Sequence, residues 1–198
     1  MAAAVMERVG TALQAGDFSA VVGLLDEAEL CSLSVFVLED GWPAALHLLG
    51  HIYNGSLADA RMLHKRLPEG VKADPQVRAA WRLLQCAWQG SSEGVWRALR
   101  GHPWSGPVEV LAEALAERLR GRHLDLVAAA YSHITPTRLA ALCGCGEEDA
   151  VALALGRGWR RAEDGSGALE VVPPPSARGE LDNLAALEQL SEYMMQLE

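Results

Sequence analysis

The sequence is short of everything a membrane span, a disulfide framework or a phosphate-binding face would need. In 198 residues no uninterrupted apolar run reaches the roughly 18 residues that cross a bilayer. "MAAAVMERVG" begins apolar, but Glu7 interrupts it before a signal core can form. Retention in the cytoplasm and nucleus is therefore expected, with no membrane partner. Four cysteines, at 31, 86, 143 and 145, form no spaced framework and read as reduced thiols. Positive charge is also scarce: 17 Lys and Arg face 26 Asp and Glu, a formal net charge of −9. That balance opposes a nucleic-acid partner. It is also uneven, with 12 basic and 15 acidic residues up to 131, then 5 and 11 from 132 onward.

Catalytic motifs are missing as well. There is no glycine-rich phosphate loop, nucleophile elbow or Cys/His pairing. His47 and His51 lie four apart in "HLLGH", but Leu48 stands where a zinc peptidase carries glutamate. The remaining histidines (64, 102, 123 and 133) form no cluster in the sequence, so the pair lacks the ligands a zinc site requires. The reading is of a non-enzyme with no cofactor and no metal.

What is present is helix. "QAGDFSAVVGLLDE", "YNGSLADARMLHKR" and "WQGSSEGVWRALRG" share one pattern. A glycine (Gly16, Gly55, Gly90) ends one helix, a capping residue (Asp17, Ser56, Ser91) starts the next, and an apolar period follows. The glycines are 39 and 35 residues apart, a spacing that fits two-helix units of the tetratricopeptide or related α-solenoid kind. Chance recurrence of good caps would give the same pattern. The expected core of such units is Leu24, Leu25, Leu46, Leu49, Leu63, Trp81, Leu84, Trp88, Trp96 and Leu99. Trp42-Pro43 marks another helix start. Two further helices are expected near 107–121 and 122–133.

The pattern changes after Ser132. Thr135-Pro136 starts a short helix that Gly144 ends, and "EEDAVALALGRG" is a second helix. "WRRA" and "ALEVV" flank the turn-rich "EDGSG" as a hairpin. Helix, helix, helix and hairpin in that order make a winged helix. Pro173 to Pro175 form a stiff spacer. A last helix, 179–198, carries Leu181, Leu184, Leu187, Leu190, Met194 and Leu197 as an apolar seam with little in its own domain to cover it. The expected fold is mainly α, divided into helical repeats (1–131), a winged-helix subdomain (132–175) and a C-terminal helix (176–198).

Within that second part, "AALCGCGEEDAV" (140–151) admits a metal or redox pair, a DNA-reading corner or a packed corner. No second ligand pair serves Cys143 and Cys145, and a disulfide across two residues is strained. A DNA-reading helix would present its first residues to bases, and those are Glu147, Glu148 and Asp149. Arg157, Arg160 and Arg161 lie at the far end and in the wing. Core packing and protein docking fit best.

An ordered set of segments resembles the PCI-domain family of scaffold subunits. They are "DGWPAALHLLGHIY" (40–53), "ARMLHKRLP" (60–68), "VRAAW" (77–81), "ALRGHPWS" (98–105), "AAYSHITPTRLAALCG" (129–144), "EEDAVALALGRGW" (147–159) and "LEQLSEYMMQLE" (187–198). That family serves the proteasome lid, the COP9 signalosome and translation initiation factor 3, and the signalosome branch is the most similar. The resemblance implies a non-catalytic member of a hetero-oligomer whose partners are other PCI-type subunits. The signalosome removes Nedd8 from cullins with a metalloprotease site on another subunit. The resemblance further implies winged helices aligned through their sheets and C-terminal helices gathered in a bundle. Partner contacts are then expected along the C-terminal helix at Leu181, Leu184, Leu187, Leu190, Tyr193, Met194 and Leu197, and on the winged helix at Trp159, Leu169 and Val171. Proteasome-lid and initiation-factor subunits, or a winged-helix nucleic-acid binder, are the alternatives. Two features depart from the family: Gly146 where Ser or Thr usually caps, and the glycine- and proline-rich loop "AEDGSGALEVVPPPSARG".

Overall fold

The computed structural model describes residues 2–31, 41–162 and 167–172, and among these the fold is mainly helical, as expected. The helices are α1 (Ala2–Gln14), α2 (Phe18–Cys31), α3 (Ala44–Asn54), α4 (Leu57–Arg66), one-turn α5 (Glu69–Lys72), α6 (Pro75–Trp88), α7 (Ser92–Arg100), α8 (Pro107–Ala130), α9 (Pro136–Cys143) and α10 (Glu147–Gly156). Three two-residue strands join them: β1 (His133–Ile134), β2 (Arg160–Arg161) and β3 (Leu169–Glu170). None of the helices among the described residues is long and apolar enough to cross a membrane.

The same turn joins α1 to α2, α3 to α4 and α6 to α7. Gly16, Gly55 and Gly90 all have φ between 68° and 82°, the left-handed conformation that ends a helix without a Cβ penalty. The next amide then reaches back five residues, as in Asp17 N to Ala12 O, Ser56 N to His51 O and Ser91 N to Cys86 O. Asp17 and Ser91 also cap the following helix with their side chains, whereas Ser56 makes no such bond. The two members of each joined pair pack together.

Helix α3 is the centre of the larger core. It packs against α2, α4, α6 and α8, and every residue from Ala44 to Ile52 is buried. A helix with no charged or solvent-seeking side chain needs no solvent face, and "AALHLLGHI" is apolar except for His47 and His51, which face Asp26 of α2. The approach of α2 is close: a Cβ at Gly50 would lie 2.7 Å from Val22 Cγ2. Of the expected core, Leu25, Leu46, Leu49, Leu63, Leu84, Trp96 and Leu99 are buried, while Leu24 and Trp81 are half-buried. Trp88 is a correction. It is the last residue of α6, on the same side as the buried Val77 and Leu84 but at the end of the packed stripe, 54% exposed, with the Arg61 guanidinium over its ring.

Helix α8 also departs from expectation, because one helix of 24 residues replaces two. Gly121 costs helix stability of about 1 kcal/mol relative to alanine, yet the chain stays helical because both halves have a core to pack into. Leu111, Ala112 and Leu115 belong to the larger cluster, and Leu124, Val127 and Ala128 to a second. The second cluster also holds Ile134, Leu139, Ala140, Cys143, Ala150, Ala154, Trp159, Leu169 and Val171. It is closed by a three-stranded antiparallel sheet in the order β1-β3-β2. The expected hairpin is the β2–β3 pair, with Arg160 opposite Glu170 and Arg161 opposite Leu169. Strand β1 was not expected: two residues carry no readable alternation, and only pairing with β3 defines it.

Candidate functional site

Two clusters of chemistry-bearing side chains stand out among the described residues: the junction between the two cores, and a buried histidine pair. The junction is built around Trp96 on α7. Its indole Nε1–H donates to the Leu142 carbonyl of α9 at 2.8 Å, and its ring lies against Gly144. Gly144 has φ 60° and ends α9, with Cys145 N donating back to Ala140 O. The guanidiniums of Arg100 and Arg120 lie 5.8 and 5.5 Å from the Trp96 ring centre, within cation–π range. His123 of α8 braces the same corner. Its Nδ1 is 2.8 Å from Leu119 O, which makes Nδ1 the donor and leaves Nε2 to accept from Ser92 Oγ at 3.1 Å.

The two cysteines of this corner are not a reactive pair. Burial pushes the Cys143 thiol up to about 11 and raises Cys145 as well. A thiol that stays protonated is a poor nucleophile and a poor metal ligand. Cys143 is fully buried in the second core, the place of a small hydrophobe.

Helix α10 starts with Glu147, Glu148 and Asp149, all exposed. Gly146 makes no side-chain cap, and Thr137 Oγ1 instead donates to Glu147 Oε1 at 2.7 Å, tying α9 to α10. Of the basic residues behind them, Arg157 is paired with Asp125 on α8. Arg160 and Arg161 lie exposed on β2, an edge strand. The surface here therefore carries both signs and presents carboxylates at the helix start.

The structure separates the expected contact residues. Trp159, Leu169 and Val171 are 3%, 1% and 6% exposed, their side chains committed to the second core. Among the described residues, the backbone edges of the sheet are those of β1 and β2. Leu181, Leu184, Leu187, Leu190, Tyr193, Met194 and Leu197 lie outside the described residues.

The second cluster joins α2 to α3. His47 Nε2 is hydrogen-bonded to Asp26 Oδ1 at 2.8 Å, and His51 Nε2 is 3.5 Å from the same oxygen. The two imidazoles stack with centres 4.8 Å apart. Both are buried, and burial lowers the pKa of His47 despite the opposing Asp26 bond. Glu29, one turn along α2, is held by a bidentate contact with Arg66. The histidine pair is legible in the sequence. Asp26 is not, because it lies 21 residues before His47 and meets it only through packing.

The sequence model of the CSN8/PSMD8/EIF3K family matches residues 38–179, from just before α3 to beyond β3. The chain belongs to that family. Among curated relatives, COP9 signalosome complex subunit 8 of Arabidopsis thaliana is 33% identical over 192 residues, covering 96% of this chain and 97% of that protein. The same-named protein of Danio rerio is 31% identical over 152 residues, covering 76% and 80%. That of Dictyostelium discoideum is 21% identical over 192 residues, covering 96% of both. The family match takes in the whole Trp96–Gly144 junction and the His47–His51 pair, while Asp26 lies before it.

Proposed function

We propose that the chain is a non-catalytic scaffold subunit of a COP9 signalosome, the assembly that removes Nedd8 from cullin-RING ubiquitin ligases. The observation that carries this reading is the end-to-end match to a relative named as signalosome subunit 8, with almost nothing left over in either chain. On this reading the paired helices α1 to α7 form a short solenoid. Residues 132–175, with α9, α10 and the three strands packed on the end of α8, form a winged helix, and residues 176–198 form the helix that enters a bundle with sister subunits. Among the described residues β2 pairs only with β3, and its other edge is suited to extending a neighbour's sheet. The carboxylates at the start of α10 disfavour the same fold as a nucleic-acid reader. The protein would then work in the cytoplasm and nucleus as part of a hetero-oligomer with other PCI-type subunits.

The test is co-assembly of the full chain with its sister subunits. Leu187→Asp combined with Leu190→Asp is expected to abolish co-purification while leaving the far-ultraviolet circular dichroism and urea midpoint near the parent's. Unchanged recovery of the complex would remove the bundle helix from the account.

A further inference from the structure

We propose that Asp26, His47 and His51 form a binding site for a divalent transition metal, zinc being the expected occupant, which clamps α2 onto α3. Their candidate ligand atoms all lie within 4.8 Å of one another. His47 and His51 are four apart on one helix, so their rings project from the same face one turn apart. Both Nε2 atoms converge on Asp26 Oδ1, at 2.8 and 3.5 Å. Zinc bonds nitrogen and carboxylate oxygen at about 2.0–2.2 Å. Tetrahedral ligands at that range are separated by about 3.3 Å, so small side-chain rotations bring the three donors into place.

The surroundings fit a cation. The rings are buried, but Asp26 is half-exposed, which leaves an open side where water supplies the fourth ligand. The Glu29 carboxylate on the same helix is balanced by Arg66, so the charge facing the cation is that of Asp26. Among the described residues neither Nδ1 has a hydrogen-bond partner, although both are buried. Metal on Nε2 would put the proton on Nδ1 and leave that N–H buried without an acceptor, a cost the metal bonds have to exceed. Two imidazoles and one carboxylate are a donor set suited to zinc.

The experiment uses the full chain, stripped with a chelator and dialysed. Zinc titrated by calorimetry is expected to bind at one equivalent and to raise the melting temperature. Cobalt(II), used as the spectroscopic probe, is expected to give visible bands of four-coordinate intensity with no thiolate charge-transfer band. Asp26→Asn and His51→Gln should each weaken binding at least tenfold, whereas His64→Gln should leave it unchanged. Asp26 is half-exposed, so its variant serves if His51→Gln fails to fold. Absence of stoichiometric zinc, a thiolate band, or affinity unchanged in Asp26→Asn would each overturn the proposal.

Discussion

Gly144 and Trp96 fit together as a socket and its plug. A Cβ at position 144 would fall 2.3 Å from two carbons of the indole ring, and the backbone there is left-handed as well. Both demands select glycine at the end of α9. The contact carries the larger core into the smaller one, since Trp96 belongs to the first and its hydrogen-bond acceptor, Leu142, packs on the second.

Gly144→Ala is therefore expected to destabilise the chain by about 3 kcal/mol, near the top of the ordinary range for single substitutions. The left-handed backbone accounts for about 1–2 kcal/mol of this, and displacement of Trp96 for the rest. Urea denaturation measures it. Combining the change with Trp96→Leu should cost less than the two separate losses together, because the clash is then absent. Full additivity would separate the two residues.

Thiol reactivity should follow burial rather than the Cys-x-Cys spacing. Cys31 is exposed, whereas Cys143 is buried with its thiol pushed up to about 11. Titration with a disulfide reagent near neutral pH should modify Cys31 first and Cys143 only on unfolding. Rapid modification of Cys143 in the native chain would restore the redox reading.

His47 predicts a specific pH dependence in metal-free buffer. Burial holds the His47 pKa below its ordinary 6.5. As pH falls, the unfolded chain takes up this proton before the folded one does. Stability from this group is thus complete above about pH 6.5 and lost as pH falls through that value toward the folded pKa. His47→Gln should flatten the fall in urea midpoint between pH 7.5 and about 5.5. An equally steep fall in the variant would place the cause elsewhere.

Helix caps give a matched pair of controls. Asp74 Oδ1 accepts from Gln76 N at 2.8 Å and Val77 N at 3.1 Å, ahead of Pro75. Asp74→Ala should cost about 1 kcal/mol. Ser56 occupies the same kind of position without a side-chain bond, so Ser56→Ala should cost no more than about 0.5 kcal/mol. Thermal unfolding of both variants reads the difference.

Local signals made much of the fold readable. Glycine-plus-cap turns announced the helix pairs because backbone conformation there depends on the residue itself. Thr135-Pro136 and Gly144 bounded α9 for the same reason. Features made by distant packing were not readable. Gly121 passes unbroken through α8 because two cores hold it, and β1 exists only through its partner. Trp88 lies on the same side of α6 as the buried Leu84, so periodicity reads it as core, and only its place at the end of the helix leaves it exposed. Asp26 joins the histidines by the same kind of long-range contact. The outward direction of the β2 edge likewise emerged only once Trp159, Leu169 and Val171 were seen to be buried.

The central claim is membership of a signalosome as a scaffold. The most direct measurement is affinity purification of the tagged full chain from its own cells under native conditions, with quantitative mass spectrometry of what accompanies it. The other signalosome subunits are expected in near-equal amounts, including the one that carries the metalloprotease site. Recovery of proteasome-lid or initiation-factor subunits in their place, or of nucleic acid without sister subunits, would contradict it.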